Sequence, residues 1–191
     1  MRTDILDIFR STATVFTFKE ILLASSEPKP NLLKRRLNYY VQKGDLLSLR
    51  RGFYTKDNNY NRFEFATKLY TPSYVSFETV LAEAGIIFQH YNKIFVATYQ
   101  TKEIECDKQL YDFKKIKDTI LTNSAGIENR GTYCIATKER AFLDILYLNR
   151  KYYFDNLSPL DESKVQELLP IYQNQSMEKR VQRTLKASKG L

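Results

Sequence analysis

A chain of 191 residues, 43% apolar and 27% charged, with formal net charge +8 and a pI near 9.3, has room for one medium domain or two small ones with real cores. No apolar run approaches the roughly eighteen residues of a membrane span. The opening Met-Arg-Thr-Asp-Ile-Leu-Asp sets acidic residues where a secretory leader is uninterruptedly apolar, so a cytoplasmic protein without a membrane partner is expected.

In chain order, Ile5, Leu6, Ile8 and Phe9 predict a short amphipathic helix over residues 2 to 11. Thr17-Phe-Lys-Glu20 fits a capping box, in which the Thr hydroxyl and the Glu carboxylate satisfy free N–H groups at a helix start. The helix it opens, with Ile21, Leu22 and Leu23, ends near Ser25. Ser26-Glu-Pro-Lys-Pro30 cannot continue it, because proline lacks the N–H and biases the preceding residue away from the α region. Pro30 instead suits the first turn of a third helix over residues 30 to 43. There Leu33, Leu37, Tyr40 and Val41 form a core stripe, and Asn31, Lys34, Arg35, Asn38 and Gln42 fall opposite it, with no acidic residue from Lys29 to Lys43. Amide and basic side chains pair with adenine and guanine edges in the major groove and with phosphates on its rims.

Gly44 predicts a left-handed stop to that helix. Leu46 to Leu49 and Phe53-Tyr54-Thr55 read as the strands of a hairpin, with Arg50-Arg51-Gly52 as its turn. Three helices followed by a two-stranded hairpin is the winged helix-turn-helix order. In that arrangement the third helix enters the major groove, and Arg50 and Arg51 at the hairpin tip meet phosphates or a narrow minor groove.

The polar, turn-rich Lys56-Asp-Asn-Asn-Tyr-Asn61 marks a domain boundary, giving a DNA-binding domain over 1–57 and a mixed α/β domain over 58–191. In the second domain Arg62 to Tyr70 suits a helix. Ser76 can cap another through Phe77, Val80, Leu81 and Ala84, closed by Gly85. Lys93 to Tyr99, Glu103 to Cys106 and Leu110 to Ile116 read as strands. Tyr133 to Ala136 reads as a strand feeding a helix capped by Thr137, with Ala141, Phe142, Ile145 and Leu146 on its buried face and Asp144 among them, in need of a partner. Helices near 161 to 172 and 176 to 188 complete an α/β (α+β) fold. In the last of these, Lys179, Arg180, Arg183 and Lys186 form a basic stripe over Met177, Val181 and Leu185, a candidate second phosphate-contacting surface.

Charge follows the same division. Residues 1 to 56 hold eleven Lys/Arg against five Asp/Glu, residues 175 to 191 hold five against one, and the middle holds fourteen against sixteen. A positive field at both ends suits a polyanion, since each neutralised phosphate releases counterions.

The segments LLKRRLNYYVQKGDLLSLRRGFYTK, PSYVSFETVLAEAGII and GTYCIATKERAFLDILYL resemble the three recognisable blocks of AbiEi-type antitoxins, across roughly residues 5 to 150. These are the transcription-regulating half of bacterial abortive-infection, type IV toxin-antitoxin systems. The resemblance implies an N-terminal winged helix that binds inverted repeats in the double-stranded promoter DNA of its own operon. It also implies an antitoxin domain that neutralises a cognate nucleotidyltransferase toxin encoded nearby. Lys34, Arg35, Asn38, Arg50 and Arg51 would then serve the operator, and the region from Thr137 to Asp144 would belong to the antitoxin domain, in either a structural or a toxin-contacting role. The basic C-terminal helix departs from the family pattern.

Chemistry-bearing motifs are scarce. Cys106 and Cys134 lack CxxC or CxxH spacing and His90 is the single histidine, so zinc sites, disulfide frameworks and His-dependent catalysis lack support. No GxxxxGKS/T, GxGxxG or HExxH string occurs, and no catalytic residue, metal or cofactor is expected. Two other readings stay open. One is a winged-helix repressor whose α/β domain senses a small ligand and has no toxin partner. The other is a restriction-endonuclease-like nuclease, in which Asp112-Phe-Lys114 with Glu103, Glu105 or Asp107 would hold Mg²⁺ and polarise water.

Overall fold

A computed structural model of the chain describes residues 10 to 25, 27 and 29 to 188. The helix expected over residues 2 to 11 lies almost wholly outside them, as do Ser26 and Pro28 of the expected break. The chain divides into two compact units, residues 1 to 68 and 69 to 191, and the described residues form a mixed α/β structure of eight α-helices and two sheets.

The first unit runs β1 (Val15–Thr17), α1 (Phe18–Ala24), α2 (Pro30–Lys43), β2 (Leu47–Arg50), β3 (Phe53–Thr55) and all but the last residue of α3 (Arg62–Leu69). The capping box forms as its residues predict. The Thr17 hydroxyl accepts from the Glu20 N–H at 3.2 Å, and the Glu20 carboxylate accepts from the Thr17 N–H at 2.7 Å. Phe16, Ile21, Leu33, Leu37, Leu46 and Tyr54 make one core that joins β1, α1, α2, the residue before β2 and β3, with Tyr40 and Val41 packed against it. The three strands lie in the order β1-β3-β2, all antiparallel. Strand β1 has no alternation of its own to announce it; the free edge of β3 recruits it, pairing Val15, Phe16 and Thr17 with Thr55, Tyr54 and Phe53.

Helix α3 belongs to this unit because of buried polar bonds. The Glu64 carboxylate accepts from the Thr14 N–H at 2.9 Å and the Thr14 hydroxyl at 2.7 Å. Lys68 bridges Glu64 at 2.9 Å, Glu20 at 3.1 Å and the Val15 carbonyl at 2.6 Å. The compact units therefore divide after Lys68, further along than the boundary drawn at residues 57 and 58 from polarity. The polar residues 56 to 61 form an internal turn instead, with the Thr55 hydroxyl donating to the Asp57 carbonyl and the Asn61 side chain accepting from the Phe63 N–H.

The second unit is built on a six-stranded mixed sheet. Its strands are β4 (Ser73–Val75), β5 (Lys93–Thr98), β6 (Lys102–Cys106), β7 (Gln109–Lys115), β8 (Ile127–Asn129) and β9 (Cys134–Ala136), in the order β6-β7-β5-β4-β9-β8. The β5–β7 and β4–β9 pairs are parallel and the others antiparallel. Its helices are α4 (Phe77–Glu83), the short α5 (Asp118–Leu121), α6 (Lys138–Leu148), α7 (Glu162–Leu168) followed by a 3-10 turn (Leu169–Tyr172), and α8 (Gln175–Ser188). Helices α4 and α6 pack on each other, α4 also against β5 and α6 against β9, α7 and α8.

A buried ion pair sits at the junction of these helices with the sheet. Arg140 and Asp144, one turn apart on α6, are both 0% exposed, with Arg140 Nε 3.4 Å from Asp144 Oδ1. The guanidinium donates to the Ala125 and Ile120 carbonyls, each at 2.7 Å, and to the Tyr74 hydroxyl at 3.2 Å. Asp144 accepts from Tyr172 at 2.6 Å, Ser76 at 2.8 Å and Tyr74 at 3.1 Å. Thr137 caps α6 as expected, accepting from the Arg140 N–H. Ser76 stands at the start of α4 but its hydroxyl is spent on Asp144, so it does not cap that helix. Burial pushes the Asp144 carboxyl up in pKa against the pull of Arg140 and the three hydroxyls, and raises the Tyr74 and Tyr172 phenols well above their usual value.

Two measurements test these contacts. Asp144→Ala leaves Arg140 buried without its counter-charge and is expected to cost about 3–5 kcal/mol, read by denaturant unfolding followed by far-UV circular dichroism; a cost below about 1 kcal/mol would remove the pair from this role. In the first unit burial raises the Glu20 carboxyl, but the Thr17 N–H and Lys68 outweigh it and hold it below the usual glutamate value. Because the folded pKa is depressed, the stabilisation is present above the unfolded value and fades as pH falls through the folded one. The unfolding midpoint should therefore fall more steeply between about pH 5 and pH 3 in the wild type than in Glu20→Gln.

Candidate nucleic-acid interface

Helix α2 buries Leu33 and Leu37, half-buries Tyr40 and Val41, and turns the rest outward. Asn31, Lys34, Arg35, Asn38 and Gln42 are all exposed, as the stripe opposite the core requires. Arg36 and Lys43 are also exposed but paired, Arg36 with Glu27 at 3.9 Å and Lys43 with Asp45 at 3.1 Å. Lys34 and Arg35, in contrast, have no ion-pair partner among the described residues. Two large apolar side chains share this exposed surface, Leu32 at 42% and Tyr39 at 59% exposure. The sequence pattern passes over both, because its apolar stripe is complete without them. Their signal is that Leu32 and Tyr39 fall seven residues apart beside Arg35, away from Leu33 and Leu37.

The helix stops at Gly44, whose φ of +83° places it in the left-handed region; the Tyr40 carbonyl then accepts from the Asp45 N–H at 3.0 Å. Strands β2 and β3 follow at once. Arg50 pairs with Phe53, so Arg51 and Gly52 form a two-residue tip, with Gly52 at φ +83°. Both arginines are exposed, and neither has an ion-pair partner among the described residues. The tip is fixed from behind, since the Gly52 carbonyl accepts from the Phe18 N–H at the start of α1 at 2.8 Å. One core therefore positions both α2 and the base of the hairpin that carries Arg50 and Arg51.

In the second unit α8 buries Met177, Val181 and Leu185 and exposes Lys179, Arg183 and Lys186, with Gln182 among them. Arg180 departs from the expected stripe. It is half-buried, donating to the Leu146 carbonyl near the end of α6 and to the Ser176 hydroxyl, both at 3.1 Å, which ties α8 to α6 and removes it from the outward set. Burial and the Arg150 charge lower its pKa. A cleft of about 660 Å³ lies between residues 152 to 162 and α8, lined by Tyr152, Tyr153, Ser158, Glu162, Arg183 and Thr184. Its size falls in the range of small-ligand sites.

The residues of the nuclease reading lie on adjacent strands, with Asp112 on β7 opposite Glu103 on β6. Lys114 forms an ion pair with Glu78 at 3.0 Å and lies over the Phe95 ring, 4.4 Å from its centroid. Among the described residues no group of three or more His, Cys, Asp or Glu is placed to hold a metal ion, and no helix is long and apolar enough to cross a membrane. Cys106 and Cys134 are free thiols. No protein-family model matches the chain, and no curated protein sequence does either.

The two glycines that shape this surface give a direct test. Neither has a side chain close by; an added Cβ would meet nothing within 4 Å at Gly44 and only Phe18 Cβ at 4.0 Å at Gly52, so the cost of substitution is backbone strain. Gly44→Ala and Gly52→Ala should each cost about 1–2 kcal/mol in denaturant unfolding, and asparagine at either site should cost less.

Proposed function

We propose that the first unit is a winged helix-turn-helix and that the protein is a sequence-specific DNA-binding transcription regulator. The observation that carries this reading is the outward face of α2, where Asn31, Asn38 and Gln42 stand among Lys34 and Arg35, cations with no ion-pair partner among the described residues. The face is followed through Gly44 by a hairpin that exposes Arg50 at the end of β2 and Arg51 at its tip. In this reading Asn38, Asn31 and Gln42 address base edges, Lys34 and Arg35 address bases or phosphates, and the hairpin is the wing. Lys179, Arg183 and Lys186 offer a further phosphate-contacting surface.

The narrower proposal is an antitoxin that represses its own operon and neutralises a cognate nucleotidyltransferase toxin encoded nearby, acting without catalysis of its own. It is supported by the three resembling segments. The second and third of these meet in one buried cluster, through Tyr74 and Ser76 of one and Arg140 and Asp144 of the other. Their co-occurrence therefore has a physical basis in a shared packing site.

Mobility shift of the purified chain on its own upstream DNA against a random duplex, at several salt concentrations, tests the DNA reading. Arg50→Ala should weaken binding to both duplexes alike and reduce the salt slope by about one. Asn38→Ala should reduce discrimination between them by about 1–3 kcal/mol. Equal, fully salt-labile binding of the wild type to both duplexes would overturn sequence-specific recognition. Rescue of growth on co-expression with a neighbouring nucleotidyltransferase tests the antitoxin part separately.

A further inference from the structure

Leu32 and Tyr39 pose a physical question that the charge of α2 does not answer. A solvated helix gains nothing from large apolar side chains on its outward face, yet these two are 42% and 59% exposed while the core beneath the helix is already filled by Leu33 and Leu37. At 100° per residue, positions 32 and 39 differ by about 20° around the axis and by about 10 Å along it. They form one apolar edge running beside Arg35, at the flank of the stripe made by Asn31, Asn38 and Gln42. The Tyr39 ring is supported from below by an edge-to-face contact with Tyr40, centroids 5.7 Å apart, and Tyr40 packs against the core of the unit. The edge is thus held in a defined position.

We infer that Leu32 and Tyr39 read thymine: they form an apolar edge that packs against thymine C5-methyl groups in the major groove. The inference rests on the DNA reading above and adds to it a base class and two residues. The major groove presents one apolar group that belongs to the bases, the thymine methyl, and an apolar side chain on a helix whose neighbours carry amides and guanidiniums is complementary to it. The spacing along α2 suits methyls about three base-pair steps apart, since the rise per step is about 3.4 Å. The polar stripe then fixes purines while the apolar edge selects thymine over cytosine, whose edge carries a donor and no methyl.

The test uses the full-length chain. Preferred sites are selected from a random duplex library, and each thymine of the selected site is replaced in turn by deoxyuridine, which removes the methyl and keeps every hydrogen-bonding group. Affinity is expected to fall about fourfold at one or two thymines, the worth of one buried methyl-sized group. That loss should vanish at one thymine in Leu32→Ala and at another, or the same one, in Tyr39→Ala. Both residues are exposed and outside the core, so the variants keep the fold, and Tyr39→Phe should behave as the wild type because the ring and not the hydroxyl makes the contact. Deoxyuridine tolerated at every thymine, or a penalty that persists in both alanine variants, would overturn the inference while leaving DNA binding intact. Failure to enrich any site would overturn the DNA reading itself. If deoxyuridine is tolerated and the alanine variants instead weaken self-association in sedimentation, the edge is a protein contact and the inference falls.

Discussion

A charged pair withdrawn from water survives only where hydrogen bonds from its surroundings replace those of the solvent, and Arg140 with Asp144 sets that condition for the second unit. Neither residue could be buried by α6 alone. The guanidinium needs the Ile120 and Ala125 carbonyls, which belong to a stretch of short elements with little regular hydrogen bonding of its own, and it needs the Tyr74 hydroxyl from β4. The carboxylate needs Tyr172 from the turn after α7 and Ser76 from the β4–α4 junction. Four separate parts of the chain are thereby placed by polar geometry, which apolar contact leaves loosely specified. Gly126 belongs to the same constraint: its φ is +71°, and a Cβ there would stand 3.0 Å from Arg140 Cβ and 2.9 Å from Leu168.

The first unit meets a different balance. Helix α2 begins without a side-chain cap and without an acidic residue in its first turn, and it carries Lys34, Arg35 and Arg36 in its N-terminal half. Its N-cap is Lys29, a cation at the positive end of the helix dipole, where a capping oxygen would stabilise the start. The helix is maintained by tertiary packing of Leu33 and Leu37 and by its left-handed stop at Gly44.

Much of this was legible in the sequence because it is local. The turn expected over Arg50-Arg51-Gly52 closes one residue tighter, with Arg50 in β2; the capping box at Thr17, the stop at Gly44 and the Thr137 cap are each written in four or five adjacent residues, and all form. So are the outward faces of α2 and, apart from Arg180, of α8. What could not be read depends on partners distant in the chain. Strand β1 exists because β3 has an edge to offer, and β4 and β8 are three-residue strands too short to carry a period. Helix α3 joined the first unit through Glu64 and Lys68, whose charges look like surface until Thr14 and Glu20 are set beside them. Asp144 announced a missing partner, and nothing local says that Tyr172 supplies part of the answer. The exposure of Leu32 and Tyr39 is intermediate: the helical period alone removes them from the core, but only the completed packing shows that none of the described residues of the first unit covers them.

The spread of that buried network along the chain has a consequence for the order of events on the ribosome. The contacts described for the first unit are all supplied by residues up to Lys68, whereas Asp144 lacks one of its hydrogen-bond donors until Tyr172 has been synthesised. Contacts closed late and over long separations form late in folding. During translation the contacts described for the first unit are therefore available while the network of the second is still open. A message cut between these two points would encode a chain whose first unit has its described contacts and whose second unit lacks the donor that Tyr172 supplies.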